Sequence, residues 1–170
     1  MNPLQLEHSS SKFTKNKFPV VLVCDGVQSP ANIGSLFRIC DALGIIKIVF
    51  CNASINFSST RLLRTSRNTH KKVDYSISSN SIEELDSLRQ KGYKILALEI
   101  TKNSIPIEEI NTNKSDKIAL VIGNEQFGIS EEILNQISTS THINMYGENS
   151  SMNVVQATSI ALYSLINKLK

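Results

Sequence analysis

Residues able to do chemistry gather in three separated stretches, 25–38 (DGVQSPANIGSLFR), 123–130 (GNEQFGIS) and 145–153 (MYGENSSMN). The third places Gly147, Glu148, Asn149, Ser150, Ser151 and Asn153 immediately ahead of a long apolar helix pattern. One Ser, Asn or Asp is enough to cap a helix. Capping by Ser150 or Ser151 therefore accounts for a single residue, and the surplus of small polar groups points to a ligand. A fourth stretch, TRLLRTSRNTHKK, spaces Arg61, Arg64 and Arg67 three apart and continues into His70, Lys71 and Lys72. On one helix these cations form a broad stripe suited to gripping phosphates, with affinity falling steeply as salt rises. A solvated helix face explains such a run equally well. Lys12, Lys15 and Lys17 stand ready to add contacts.

Familiar cofactor and nucleophile patterns are missing. There is no G-x-G-x-x-G after the first strand, and the two glycines of GNEQFGIS have Ile129 where a phosphate-binding lysine belongs. No G-x-S-x-G elbow or H-E-x-x-H pair occurs. His8, His70 and His142 are isolated and read as surface or structural residues. Cys24, Cys40 and Cys51 lack Cys-x-x-Cys spacing and lie in apolar runs, so they read as buried thiols, with neither a disulfide framework nor a metal site.

The elements that must position these stretches alternate. Apolar, β-branched runs at 20–25, 45–51, 94–100 and 117–123 have the character of strands buried on both faces. Between them, Ile33, Leu36, Phe37, Cys40 and Leu43 recur at helical spacing before Gly44. A basic helix is predicted over 59–70, a brief strand over 73–76, and a helix over 81–91 with Ser81 and Glu84 as its capping box. SEEILNQI reads as a short helix capped by Ser130, HINM as a last strand, and Val154, Val155, Ala157, Ala161, Leu162, Leu165 and Ile166 as a helix covered on more than one side. Alternation of this kind predicts an α/β fold, a mostly parallel sheet with helices on both faces. Ligands then bind beyond the carboxyl ends of the strands, where the three polar stretches fall. Residues 1–18 read as a flexible or loosely docked arm and 19–170 as one domain. A hydrophobic share of 41% without any long apolar run excludes a membrane span, so the chain reads as cytoplasmic. Its net charge of +3 is too small to identify a partner.

In this order, each after a predicted strand, the three stretches resemble the motifs of the SpoU (TrmH) class of SPOUT RNA 2'-O-ribose methyltransferases. Asn32, Gly34 and Arg38 match the first motif; Gly123, Glu125, Gly128 and Ser130 the second; Ile143, Met145, Gly147, Ser151 and Asn153 the third. The resemblance implies a deep C-terminal trefoil knot (SPOUT, or α/β-knot), S-adenosylmethionine bound among the knotted loops, and a homodimer with the C-terminal helix at its interface. It implies Arg38, Asn32, Glu125, Ser151 and Asn153 as the catalytic group. Gly123, Asn124, Ile143, Met145, Gly147, Ser151, Met152 and Thr101 are implied for the cofactor, and the basic stripe for RNA, with transfer RNA a more natural target than ribosomal RNA. No metal is called for. Arginine stays protonated and is a poor base, so the expectation for Arg38 is electrostatic: it holds an RNA phosphate and stabilises the developing ribose alkoxide, with that phosphate or Glu125 as proton acceptor. Otherwise it pairs with Asp25 or Asp41 on the surface. The competing reading is a non-catalytic RNA-binding dimer, against which Asn32, Arg38, Glu125 and Asn153 argue jointly.

Overall fold

Continuous apolar strands need cover on both faces, and the fold supplies it. The computed structural model describes residues 13–170. Seven strands run in chain order: β1 (Phe18–Asp25), β2 (Ile45–Cys51), β3 (Asp74–Ser78), β4 (Tyr93–Leu98), β5 (Ile105–Pro106), β6 (Lys117–Ile122) and β7 (Ser140–His142). They form one sheet in the order β3-β2-β1-β6-β4-β7-β5, and every pairing is parallel. Along β1, side chains alternate between the two faces: Val20, Leu22 and Cys24 join one core, Val21 and Val23 the other. The first core is closed by α1 (Pro30–Ala42), α2 (Thr60–Ser66) and α5 (Val154–Leu169), the second by α3 (Ser81–Gln90) and α4 (Glu131–Leu134).

Local chemistry sets the boundaries. Helix α1 starts from Ser29 as N-cap with Pro30 in its first turn, a position where the missing proline N–H costs nothing. Gly44 ends the connection to β2 with φ +67°, and a Cβ there would lie 2.2 Å from the Asn16 carbonyl oxygen. The arm is therefore docked from Asn16 onward, with the Phe18 amide on the Gly44 carbonyl and Lys17 Nζ on the Ile45 carbonyl. Lys12 and His8 lie outside the described residues.

Several elements differ from expectation. The basic helix stops at Ser66, because Arg67 (φ 46°) and Asn68 (φ 67°) turn left-handed before a 3-10 turn at Thr69–Lys71. Arg61, Arg64, Arg67, Lys71 and Lys72 are all exposed, but they follow a bent path rather than one helical stripe. Helix α3 is capped by Asn80, whose side chain accepts from the Ile82 and Glu83 amides, while Ser81 turns inward to donate to Asp25. Ser130 occupies the N-cap of α4 but likewise sends its hydroxyl to Asp25. The last strand is Ser140–His142 rather than 142–145, since its ladder partners are Ala97, Leu98, Ile105 and Pro106. Helix α5 buries Thr158, Ala161, Leu162, Leu165, Ile166 and Leu169 and leaves Gln156, Ile160, Tyr163 and Asn167 exposed.

Candidate functional site

The parallel arrangement brings the carboxyl ends of β4, β6 and β7 together, and the chain leaving each strand walls a cavity of about 280 Å³. That is near the low end of small-molecule sites, roughly 300–1,000 Å³. Leu98, Glu99 and Ile100 close or follow β4; Gly123, Asn124, Glu125 and Gly128 follow β6; His142, Ile143 and Met145 close or follow β7. Ser150, Ser151, Met152, Val154 and Ala157 form the remaining wall.

The loop after β6 is built to present Glu125. Asn124 and Gly128 exchange two backbone hydrogen bonds of 2.9 Å, so the loop closes on itself. The Asn124 side chain accepts from the Gln126 and Phe127 amides and donates to the Gly26 carbonyl at 2.7 Å. Gly123 lies so close to the returning chain that a Cβ would come within 2.0 Å of the Gly128 carbonyl carbon. At Gly128, with φ +69°, a Cβ would strike the Glu99 carboxylate, which accepts from the Ile129 amide. Gly123 thus serves close backbone approach within the protein, and Gly128 a left-handed turn beside the Glu99 carboxylate.

Glu125 then reaches the start of α1. Its carboxylate accepts from the Ser29 amide (3.0 Å), the Gln28 amide (3.3 Å) and Asn32 Nδ2 (3.0 Å). Partial burial pushes this carboxyl up, but the bonds from Asn32 and from the amides of Glu125, Ser29 and Gln28 outweigh it and leave the group below its ordinary value. Asn32 Oδ1 in turn accepts from Asn153 Nδ2 at 3.3 Å. Asn153 also caps α5, its Oδ1 accepting from the Val155 amide. One residue from each polar stretch thus enters a single chain, Asn153 to Asn32 to Glu125. The cap itself is Asn153 rather than Ser150 or Ser151.

Arg38 is exposed on α1, and among the described residues it has neither a hydrogen bond nor an ion pair; Asp25 and Asp41 do not hold it. Asp25 is buried instead, accepting from Asn52, Ser81, and both the amide and hydroxyl of Ser130. Thr101 stands outside the cavity wall, where the turn bonded to Ser104 carries it past the Leu98–Ile100 edge. Gly147 also lies outside, with no left-handed φ and no atom within 4 Å of where a Cβ would be. Glu99, which the sequence did not mark, and His142, expected as a surface or structural residue, also line the cavity. Glu99 carried only the signal of its place near the end of the apolar run 94–100. Among the described residues no cluster of His, Cys, Asp or Glu could hold a metal ion.

The lining suits S-adenosylmethionine by its chemistry. Apolar walls from Leu98, Ile143 and Met152 accept an adenine face, and the Glu99 and Glu125 carboxylates on the rim favour a cationic ligand.

Fold and site together define an α/β enzyme-like domain with its ligand cavity at converging strand ends, and the sequence comparison assigns the class. Residues 19–163 match the SpoU rRNA Methylase family, and the chain belongs to it. It is 30% identical over 154 residues to the tRNA (guanosine(18)-2'-O)-methyltransferase of Aquifex aeolicus, covering 88% of this chain and 69% of that one. It is 29% identical over 145 residues to the 23S rRNA (guanosine(2553)-2'-O)-methyltransferase RlmP of Bacillus subtilis, covering 85% of this chain but only 57% of the relative. The crystal structure of the Aquifex aeolicus TrmH/SpoU tRNA modifying enzyme superposes with a TM-score of 0.78 at 28% identity, over 91% of this chain and 77% of that one. The fold is also that of an AdoMet-bound rRNA methyltransferase from Sinorhizobium meliloti, with a TM-score of 0.81 at 23% identity, over 92% and 58% of the two chains.

Proposed function

We propose that this protein is an S-adenosylmethionine-dependent RNA 2'-O-ribose methyltransferase, working as a cytoplasmic homodimer, with a transfer RNA preferred to a ribosomal RNA as substrate. The observation that carries the reading is the hydrogen-bonded chain from Asn153 through Asn32 to Glu125 at the rim of the cavity. It ties all three polar stretches into one arrangement that packing alone does not require. The substrate classes fit the relatives' names, which divide between tRNA and rRNA.

When bound, S-adenosylmethionine supplies an activated methyl group. The chain's work is to hold the ribose hydroxyl in line and favour its loss of a proton. Asn32 and Asn153, each with hydrogen-bonding capacity beyond the bond they share, orient the ribose, and Ser151 faces it from the cavity wall. Arg38 grips the adjoining phosphate and stabilises the alkoxide. Glu125, already engaged by three donors, positions the start of α1, and the ribose proton passes to the RNA phosphate that Arg38 holds. Residues 19–170 act as one domain. The C-terminal knot of the family is supported by the return of β7 into the sheet between β4 and β5 and by the packing of α5 against α1.

Radiolabelled methyl transfer to bulk transfer RNA and ribosomal RNA, followed by mapping of the labelled nucleotide, tests the proposal. Label on a ribose 2'-oxygen is the expected result. Calorimetry without S-adenosylmethionine binding, together with retained RNA binding, would replace the enzyme with a non-catalytic RNA-binding protein.

A further inference from the structure

A second surface lies at the opposite edge of the sheet from the cavity. Among the described residues strand β3 pairs only with β2, its other edge having no partner strand there, and its Tyr75 and Ile77 are 41% and 52% exposed. Tyr75 is the outer member of an aromatic cluster rooted in the core. Buried Phe37 meets it edge-on at 5.4 Å and 84°, and Phe57 lies against it at 5.0 Å and 31°. Phe37 also meets the His70 ring edge-on at 6.4 Å, and His70 Nδ1 is fixed by Ser66 Oγ at 2.9 Å. Phe57, His70, Lys71, Val73, Asp74 and Tyr75 line an open depression here. The left-handed turn at Arg67 and Asn68 redirects the chain after α2, and Lys71 and Lys72 follow it to the start of β3.

We propose that this depression is a second RNA subsite, holding an unpaired base against Tyr75 and Phe57 with its flanking phosphates on Arg67, Lys71 and Lys72. The inference rests on the RNA-methyltransferase reading and extends it to a nucleotide away from the one that reacts. A ring held at a fixed angle by buried neighbours loses little freedom when a base stacks on it, and stacking accepts any base. Three exposed cations against the single carboxylate of Asp74 favour a polyanion over a neutral peptide strand at this edge. Asp74 repels phosphate, so the RNA backbone belongs on the lysine side, and the carboxylate is left to accept from a base N–H.

The test compares a short single-stranded oligoribonucleotide with its duplex, by fluorescence anisotropy over a series of salt concentrations. Tyr75→Ala weakens single-strand binding about tenfold while leaving duplex binding and the salt slope unchanged, and Tyr75→Phe binds as the parent does. Calorimetry with S-adenosylmethionine, unchanged in both variants, shows that they are folded. Unchanged single-strand affinity in Tyr75→Ala, or equal losses on single strand and duplex, overturns the subsite. So does a loss of self-association in place of RNA binding, which assigns the edge to a second copy of the chain. If the parent methylates RNA and Tyr75→Ala still binds like the parent, the subsite alone falls. If the parent neither binds nor methylates RNA, the functional reading falls and takes the subsite with it.

Discussion

Glu125 is a carboxylate held by hydrogen bonds, which suits it to positioning rather than to taking a proton. Burial pushes its carboxyl up, but three donors from the α1 region together with its own amide hold it below the ordinary value. A group whose carboxyl is depressed in the folded state stabilises that state fully above the unfolded value, about 4.3, and loses the contribution as pH falls through the folded value. Glu125→Gln is therefore less stable than the parent at neutral pH, and the gap in thermal midpoint closes in acid. Methyl transfer by the variant drops about a hundredfold, the scale expected when a positioned group is slightly misplaced. A gap that stays constant across that pH range counts against the hydrogen-bonded role. Arg38 makes the opposite case, since none of the described residues holds its side chain. Arg38→Ala leaves S-adenosylmethionine binding intact and lowers methyl transfer by about two orders of magnitude or more, the scale of losing one charge-stabilising donor. Normal turnover in that variant removes Arg38 from the mechanism. The thiols take no part. Cys24, Cys40 and Cys51 are buried, and burial raises all three, Cys51 to about 11. A disulfide reagent at mildly alkaline pH labels none of them until the protein is unfolded.

At the scale of elements, one glycine decides where the basic segment sits. Replacing Gly34 by Ala in the interior of α1 gains about 1 kcal/mol of helix propensity. A Cβ there, however, would lie 2.1 Å from Thr65 Oγ1 and 2.5 Å from the Leu62 carbonyl oxygen. The hydroxyl can rotate away but the carbonyl cannot, and overpacking of this kind costs about 1–3 kcal/mol. The clash wins: Gly34→Ala lowers the urea midpoint and weakens RNA binding by displacing α2, and a raised midpoint contradicts this account of the motif. The same contact marks the limit of what could be read from the chain. Strands β1, β2, β4 and β6 were legible because an apolar, β-branched run has few other uses. Strand β5 was not, since its two residues carry no period, and β7 was misplaced because its pairing is decided by distant partners. Asn80 and Ser81 are adjacent and equally able to cap; the position of Asp25, brought in by β1, together with the Asn52 amide that donates to the Ser81 hydroxyl, draws Ser81 inward. The three motifs were legible as residue types, whereas the Asn153–Asn32–Glu125 contacts and the cavity lining by Glu99 and His142 depend on strand order.

At the scale of the whole molecule, the proposed dimer raises a question of area. Helix α5 has 16 residues, so its exposed stripe of Gln156, Ile160, Tyr163 and Asn167 runs at most about 24 Å. At about 10 Å wide, that stripe offers about 240 Å², far short of the about 800 Å² per partner of a stable interface. Pairing through α5 must therefore recruit neighbouring surface. Besides Ile100 of the cavity wall, 58% exposed, the large apolar side chains exposed in the loops that lead to the site are Phe127, 80% exposed two residues after Glu125, and Tyr146, 94% exposed next to Gly147. All three belong to the cavity's own loops, so an interface of sufficient size joins self-association to ligand binding. A charge at the centre of the α5 stripe should separate the chains without touching the core, because Tyr163 is 60% exposed. Tyr163→Asp is expected to sediment as a monomer with an unchanged circular dichroism spectrum, and to lose both S-adenosylmethionine affinity and methyl transfer. A monomer that still binds S-adenosylmethionine as the parent does would show that the cavity is complete within one chain, and the coupling between pairing and the site would be wrong.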